Sequence, residues 1–196
     1  MNRHIIKELL AFFVDLCQQL RRIAEFEKVS FEQYLGTIRQ NFESSGIKIE
    51  DEKLFTDTIR NEYENIKLPK RATSGSAGFD FSIPCDTIIR PGESIKIATG
   101  IRAKIEDGWL LAAFPRSSLG FKYRLKLDNT IGIIDSDYYY SSNEGHIMLK
   151  MTNEGQKDIH ITAGDRIAQG IFLPYGITHS DDATETRSGG FGSTGK

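Results

Sequence analysis

Apolar positions recur along this chain with two periods, and the change falls near Ile66. Before it the spacing is helical: Ile6, Leu9, Leu10, Phe13, Leu16 and Leu20 fall on one face. Ser30-Phe-Glu-Gln33 has the form of a capping box, in which the Ser oxygen and the Gln side chain each answer a free backbone N–H. Phe31, Tyr34, Leu35, Ile38 and Phe42 carry that second helix to a stop near Gly46. Leu54, Phe55, Thr58 and Ile59 indicate a third. Residues 1–65 are therefore expected to form a helical extension. A face as apolar as Ile6–Leu20 is expected to pack on its own β-domain or on a neighbouring subunit. Beyond Ile66 the period falls to two. After the turn Pro91-Gly-Glu93, Ile95, Ile97, Thr99, Ile101, Ala103 and Ile105 share one face, with Lys96, Arg102 and Lys104 opposite. Further strands are expected at Trp109–Phe114, Leu125–Leu127, Ile131–Ile134, Ile147–Met151, Arg166–Gln169 and Ile171–Leu173. Many short strands broken by Gly turns, with no helix between them, predict a mainly β fold, an antiparallel sandwich or jelly roll over residues 66–178. From His179 the chain turns polar and acidic, a linker to a Gly-rich arm that completes residues 179–196.

Composition narrows the function classes. The chain of 196 residues carries 25 Lys+Arg against 27 Asp+Glu, a net charge of −2, without the basic excess of a general nucleic-acid binder. Its two cysteines, Cys17 and Cys85, have no metal-ligand spacing and are expected to be reduced, small hydrophobes in a cytoplasmic protein. The run Ile5–Val14 is interrupted by Lys7 and Glu8, lacks a small-residue cleavage site after it, and is too short to cross a bilayer. A soluble chain that is not exported is the expectation.

Five polar clusters in the β-region admit a chemical reading beside a plain one. Asn129-Thr-Ile-Gly-Ile-Ile-Asp-Ser-Asp-Tyr138 begins as an apolar strand and ends on two carboxylates and a phenol. Gly132 within it suggests a bulge or the close approach of another group. Asp135, at the edge of an apolar run, is expected to be partly desolvated and so raised towards the pKa of a general base; the plain alternative is a polar turn. Pro115-Arg-Ser-Ser-Leu-Gly120 offers a guanidinium fork and two hydroxyls, suited to phosphate or to a surface turn. Gln169 is a core amide or a phosphate donor, and Asp80 a turn carboxylate or an outer-shell Mg²⁺ ligand. The tail Arg187-Ser-Gly-Gly-Phe-Gly-Ser-Thr-Gly195 reads as a mobile terminus or a phosphate-cradling loop, and Phe191 among its glycines suits stacking on a base.

Taken in order, Ala77-Gly-Phe-Asp80, Pro115–Gly120, Gly132–Tyr138, Arg166-Ile-Ala-Gln169 and Gly189-Gly-Phe-Gly-Ser-Thr-Gly195 resemble the five motifs of the trimeric dUTPases, over about Lys67 to Lys196. The resemblance implies a β-clip jelly roll and a Mg²⁺-assisted dUTP diphosphatase, which limits uracil incorporation into DNA and supplies dUMP for thymidylate synthesis. It implies that Asp135 activates the attacking water, that Tyr138 packs under the deoxyribose, and that Asn129 with the backbone at Gly132 and Ile133 reads uracil. Arg116, Ser117, Ser118 and Gln169 would bind phosphates, and Asp80 would hold Mg²⁺ through water. From the tail, Phe191 would stack on uracil, while Arg187, Gly192 and Ser193 would contact the phosphates. A homotrimer with shared sites is implied, with neither nucleic acid nor membrane as partner.

Two departures from the motifs stand out. Tyr139-Tyr-Ser-Ser-Asn-Glu-Gly145 replaces a shorter Arg-Gly link, and Arg187 stands one residue closer to Phe191 than in the commonest form. A dCTP deaminase-like enzyme would share fold and triphosphate site, and a nucleotide-switched regulator could act on a partner protein through the helical segment. The tail and the Ile-Asp-Ser-Asp-Tyr run fit dUTP hydrolysis better than either.

Overall fold

The structure, a computed structural model, describes residues 7–8, 21–185 and 187. The stripe Ile6–Leu20 (Lys7 and Glu8 apart) and the tail residues Phe191, Gly192 and Ser193 lie outside the described residues. Among the described residues no helix is long and apolar enough to cross a membrane.

The first described strand, β1 (Ala24–Lys28), falls inside the stretch whose spacing reads as helical. Ala, Glu and Lys are good helix formers, but tertiary pairing overrides local preference here. β1 lies antiparallel to β6 (Ile101–Ile105), from Ala24 opposite Ile105 to Lys28 opposite Ile101. Its one large apolar residue, Phe26, sits among Phe79, Phe81 and Phe172 at centroid distances of 5.4–5.6 Å.

Two helices follow where the apolar spacing places them, α1 (Phe31–Ser44) and α2 (Glu52–Asn65). Half of the expected capping box forms: the Ser30 hydroxyl accepts from the Gln33 N–H at 3.1 Å. The other half does not, because the Ser30 N–H is answered from far along the chain by Glu144 at 2.7 Å. The Gln33 amide donates instead to Thr37, one turn on. Tyr34 and Ile59 from these helices join the same apolar core as the strands.

The remaining strands are β2 (Lys70–Arg71), β3 (Phe79–Ser82), β4 (Thr87–Ile89), β5 (Ser94–Ala98), β7 (Trp109–Pro115), β8 (Leu125–Leu127), β9 (Gly132–Ile134), β10 (Met148–Asn153), β11 (Ile159–Ile161) and β12 (Arg166–Pro174). Every pairing described is antiparallel. A five-stranded sheet runs β2-β3-β12-β7-β9, a three-stranded sheet β5-β10-β8, and β11-β4 forms a separate pair. The alternating run from Ile95 to Ile105 is two strands rather than one, broken at Gly100, whose φ of +68° ends β5 and redirects the chain to pair with β1. Helical turns also interrupt the β-region, against the sequence expectation: α3 (Ser117–Tyr123) between β7 and β8, and a 3-10 turn over Ser136–Tyr140. Both are too short to show a helical period.

His146 locks these layers together. It is fully buried; its Nε2 accepts from the Gly100 N–H at 2.8 Å, so Nδ1 carries the proton and donates to Thr37 Oγ1 at 3.2 Å. Burial pushes its pKa down from 6.5 to about 4, against the pull of Glu144. The folded state thus favours the neutral ring while the unfolded chain takes up a proton below pH 6.5. Stability is then highest above pH 6.5 and falls as pH drops from 6.5 towards 4, by roughly 3 kcal/mol from this group. Denaturant titrations at pH 7 and pH 4.5 should show the loss in the wild type and a smaller one in His146→Gln.

Candidate active site

The stretch Asn129–Tyr138 forms one wall of a cleft of about 450 Å³, lined also by Ile147, Lys150 and Arg187. That volume suits a small organic ligand such as a nucleoside. The turn into β9 is tight: Thr130 has a φ of +65°, and the Ile131 N–H bonds back to the Asn129 carbonyl at 2.6 Å. Gly132 opens the wall, since a Cβ there would come within 3.3 Å of the Ala113 methyl and 3.8 Å of the Asn129 amide. Ile134 turns into the core while Ile133, 55% exposed, faces outward. β9 ends the five-stranded sheet and pairs there only with β7, so its outer edge and the exposed Asn129 amide are available to a planar polar ring.

Asp135 follows β9 and precedes the 3-10 turn without capping it by side chain. The expected desolvation is not found: its side chain is 45% exposed, because the 3-10 turn carries it away from Ile134. Arg187 spans the two carboxylates, with Nη2 at 2.5 Å from Asp135 and Nε at 3.1 Å from Asp137, and its guanidinium lies 5.7 Å from the Tyr138 ring centroid. Tyr138 itself is buried, and burial pushes its phenol up, so it stays protonated and donates. Its O–H donates to the His146 carbonyl at 2.8 Å and accepts from the Asn143 amide at 2.8 Å.

A second group forms on the neighbouring strands. Gln169 on β12 pairs with Asp80 on β3 and with Phe114 on β7, which puts the Asp80 carboxylate and the Gln169 amide on one face. Asp80 is held by two guanidiniums, Arg166 at 3.1 Å and Arg116 at 3.5 Å. Gly78 makes room for Gln169, whose Oε1 would stand 3.0 Å from a Cβ there. The Gln169 side chain makes no hydrogen bond among the described residues. Ser117 and Ser118 are exposed in the first turn of α3, beside Arg116.

The sequence-derived residues thus gather into two groups: Asn129, Gly132, Ile133, Tyr138 and Arg187 line the cleft, with Asp135 held beside it by Arg187, while Asp80, Gln169, Arg116, Ser117 and Ser118 lie on β3 and β12 and just past the end of β7. No hydrogen bond or ion pair among the described residues joins them. Sequence reasoning missed the partners that hold them, Arg166, Asn143 and His146. Only Arg166 had a local signal, as the first residue of the motif that ends in Gln169.

Residues 64–195 match the family model for dUTPase. The chain belongs to the dUTPase family. The deoxyuridine 5'-triphosphate nucleotidohydrolase of Lactococcus lactis subsp. lactis is 40% identical to this dUTPase over 142 residues, 70% of this chain and 95% of the relative. That of Haemophilus influenzae is 41% identical over 154 residues, 74% and 97% respectively. The crystal structure of dUTPase from Streptococcus mutans superposes with a TM-score of 0.55 at 39% identity, covering 60% of this chain and 91% of the other. A mutant dUTPase from phage phi11 of S. aureus, described as coordinating a structural Mg(II) ion, shares the fold alone at 20% identity and a TM-score of 0.53, covering 62% and 92%.

Proposed function

We propose that this dUTPase hydrolyses dUTP to dUMP and pyrophosphate, with Asp135 as the base that orients and deprotonates the attacking water. The observation that carries the reading is the cleft lined by Asn129, Ile131–Ile134, Tyr138 and Arg187, whose Arg187 guanidinium holds the Asp135 carboxylate beside it. Uracil enters against β9, and the sugar lies on Tyr138. Water attacks the α-phosphorus opposite the bridging oxygen; that P–O bond breaks, pyrophosphate leaves, and the proton passes to Asp135. Arg187 in the free chain neutralises Asp135 and Asp137, so it is released when triphosphate offers a richer anion.

Arg116, Gln169 and the Ser117 and Ser118 hydroxyls form the phosphate side. They lie apart from the cleft in a single chain, which supports a homotrimer in which one subunit's cleft meets another's Asp80–Gln169 group. Mg²⁺ fits as part of the substrate rather than as a resident ion. Among the described residues no group of three His, Cys, Asp or Glu side chains could hold a metal, and the Asp80 carboxylate already faces two guanidiniums. A triphosphate-chelated ion reached by Asp80 through water accords with this donor set.

Pyrophosphate release should be efficient from dUTP, and at least about tenfold slower from dTTP, dCTP and UTP, with a requirement for Mg²⁺. Release of ammonia from dCTP instead would replace this reading with a deaminase.

A further inference from the structure

The stretch that departs from the family pattern, Tyr139–Gly145, is where the N-terminal segment grips the site. The Glu144 carboxylate takes both donors of Ser30, the N–H at 2.7 Å and the hydroxyl at 2.6 Å, and so serves the N-terminus of α1. The buried His146 ring donates to Thr37 on α1. The Tyr139 hydroxyl donates to Glu27 of β1 at 2.9 Å, and Arg102, itself paired with Glu27 at 2.7 Å, lies 4.4 Å from the Tyr139 ring centroid. The loop so held is a strained one. Glu144 keeps a φ of +57° without being glycine, and at Gly145 a Cβ would stand 2.7 Å from the Tyr139 Cα. Such a backbone persists only where its surroundings over-determine it. Two of the loop's interior bonds meet at one side chain: the Tyr138 phenol accepts from Asn143 and donates to the His146 carbonyl.

We propose that the segment from β1 to α1 is a positioning element for the nucleotide site, fixing the Tyr138 ring and with it the preference for deoxyribose over ribose. The inference rests on the placement of the sugar over Tyr138. Chemistry at Asp135 does not pass through these contacts. Their effect is a matter of the clearance between a ring and a sugar, where a shift of a fraction of an ångström decides whether a 2′-hydroxyl fits.

The test compares kcat/KM for dUTP, UTP and dTTP, with melting temperature, in Thr37→Val, Glu144→Gln and the reference variant Tyr138→Leu. Thr37→Val and Glu144→Gln should raise the UTP-to-dUTP ratio about five- to tenfold and leave the dTTP-to-dUTP ratio within about twofold, because uracil reading lies on β9. Thr37→Ser, which keeps the hydroxyl, should return the wild-type ratio. A lowered melting temperature with an unchanged UTP-to-dUTP ratio would overturn the proposal and leave the contacts as structural only. If Tyr138→Leu also fails to raise the ratio, the sugar placement itself is wrong and the proposal falls with it. If Tyr138→Leu raises it while the two other variants do not, only the proposal falls.

Discussion

Asp135→Asn should bind dUTP nearly as well as the wild type and turn it over at least ~10²-fold more slowly, the usual cost of losing a general base. The substitution is almost isosteric, so the Ile134–Ser136 backbone and the cleft should keep their shape. What changes is the charge that faces Arg187 at 2.5 Å and Asp137 beside it. Single-turnover rates under saturating dUTP separate the effect from affinity. A variant within a few-fold of wild type would remove Asp135 from proton transfer.

The second large effect concerns the tail. Removing residues 187–196 should leave a folded chain that hydrolyses dUTP about 10²-fold or more slowly, comparable with losing a preorganised donor to the developing charge. The fold should survive because β12 ends at Pro174 and the described contacts of Arg187 are with Asp135, Asp137 and the Tyr138 ring. Ion pairs this exposed contribute about 1 kcal/mol or less. Activity should not survive, because the sequence puts glycine N–H groups, Phe191 and a guanidinium in one arm. Circular dichroism, sedimentation and turnover on the same sample check both halves. Unchanged turnover would take the arm out of the reaction.

Much of the β-region was legible because alternation is a local property. The strands at Trp109–Pro115, Leu125–Leu127 and Gly132–Ile134 follow the apolar runs closely. β1 was not legible: Ala24-Glu-Phe-Glu-Lys28 is written in helix formers, and only the aromatic cluster around Phe26 and the free edge of β6 make it a strand. The candidate site residues stand out in the sequence through their order in five motifs, but the partners that hold them do not. His146 lies in no motif, and its role depends on Gly100 and Thr37, which are distant in sequence. Glu144 replaces the Gln33 half of a capping box from more than a hundred residues away, a substitution that no local pattern announces.

β1 also has a colloidal consequence. Without it, β6 would present its row of unpaired N–H and C=O groups beside the rings of Phe79, Phe81 and Phe172, the kind of edge on which another chain can add a strand. With it, the outermost strand of that pair carries Glu25, Glu27 and Lys28, and charged side chains on an edge discourage further addition. Shortened forms beginning after Lys28 should therefore fail first by association in solution, read as a rise in light scattering relative to the full chain.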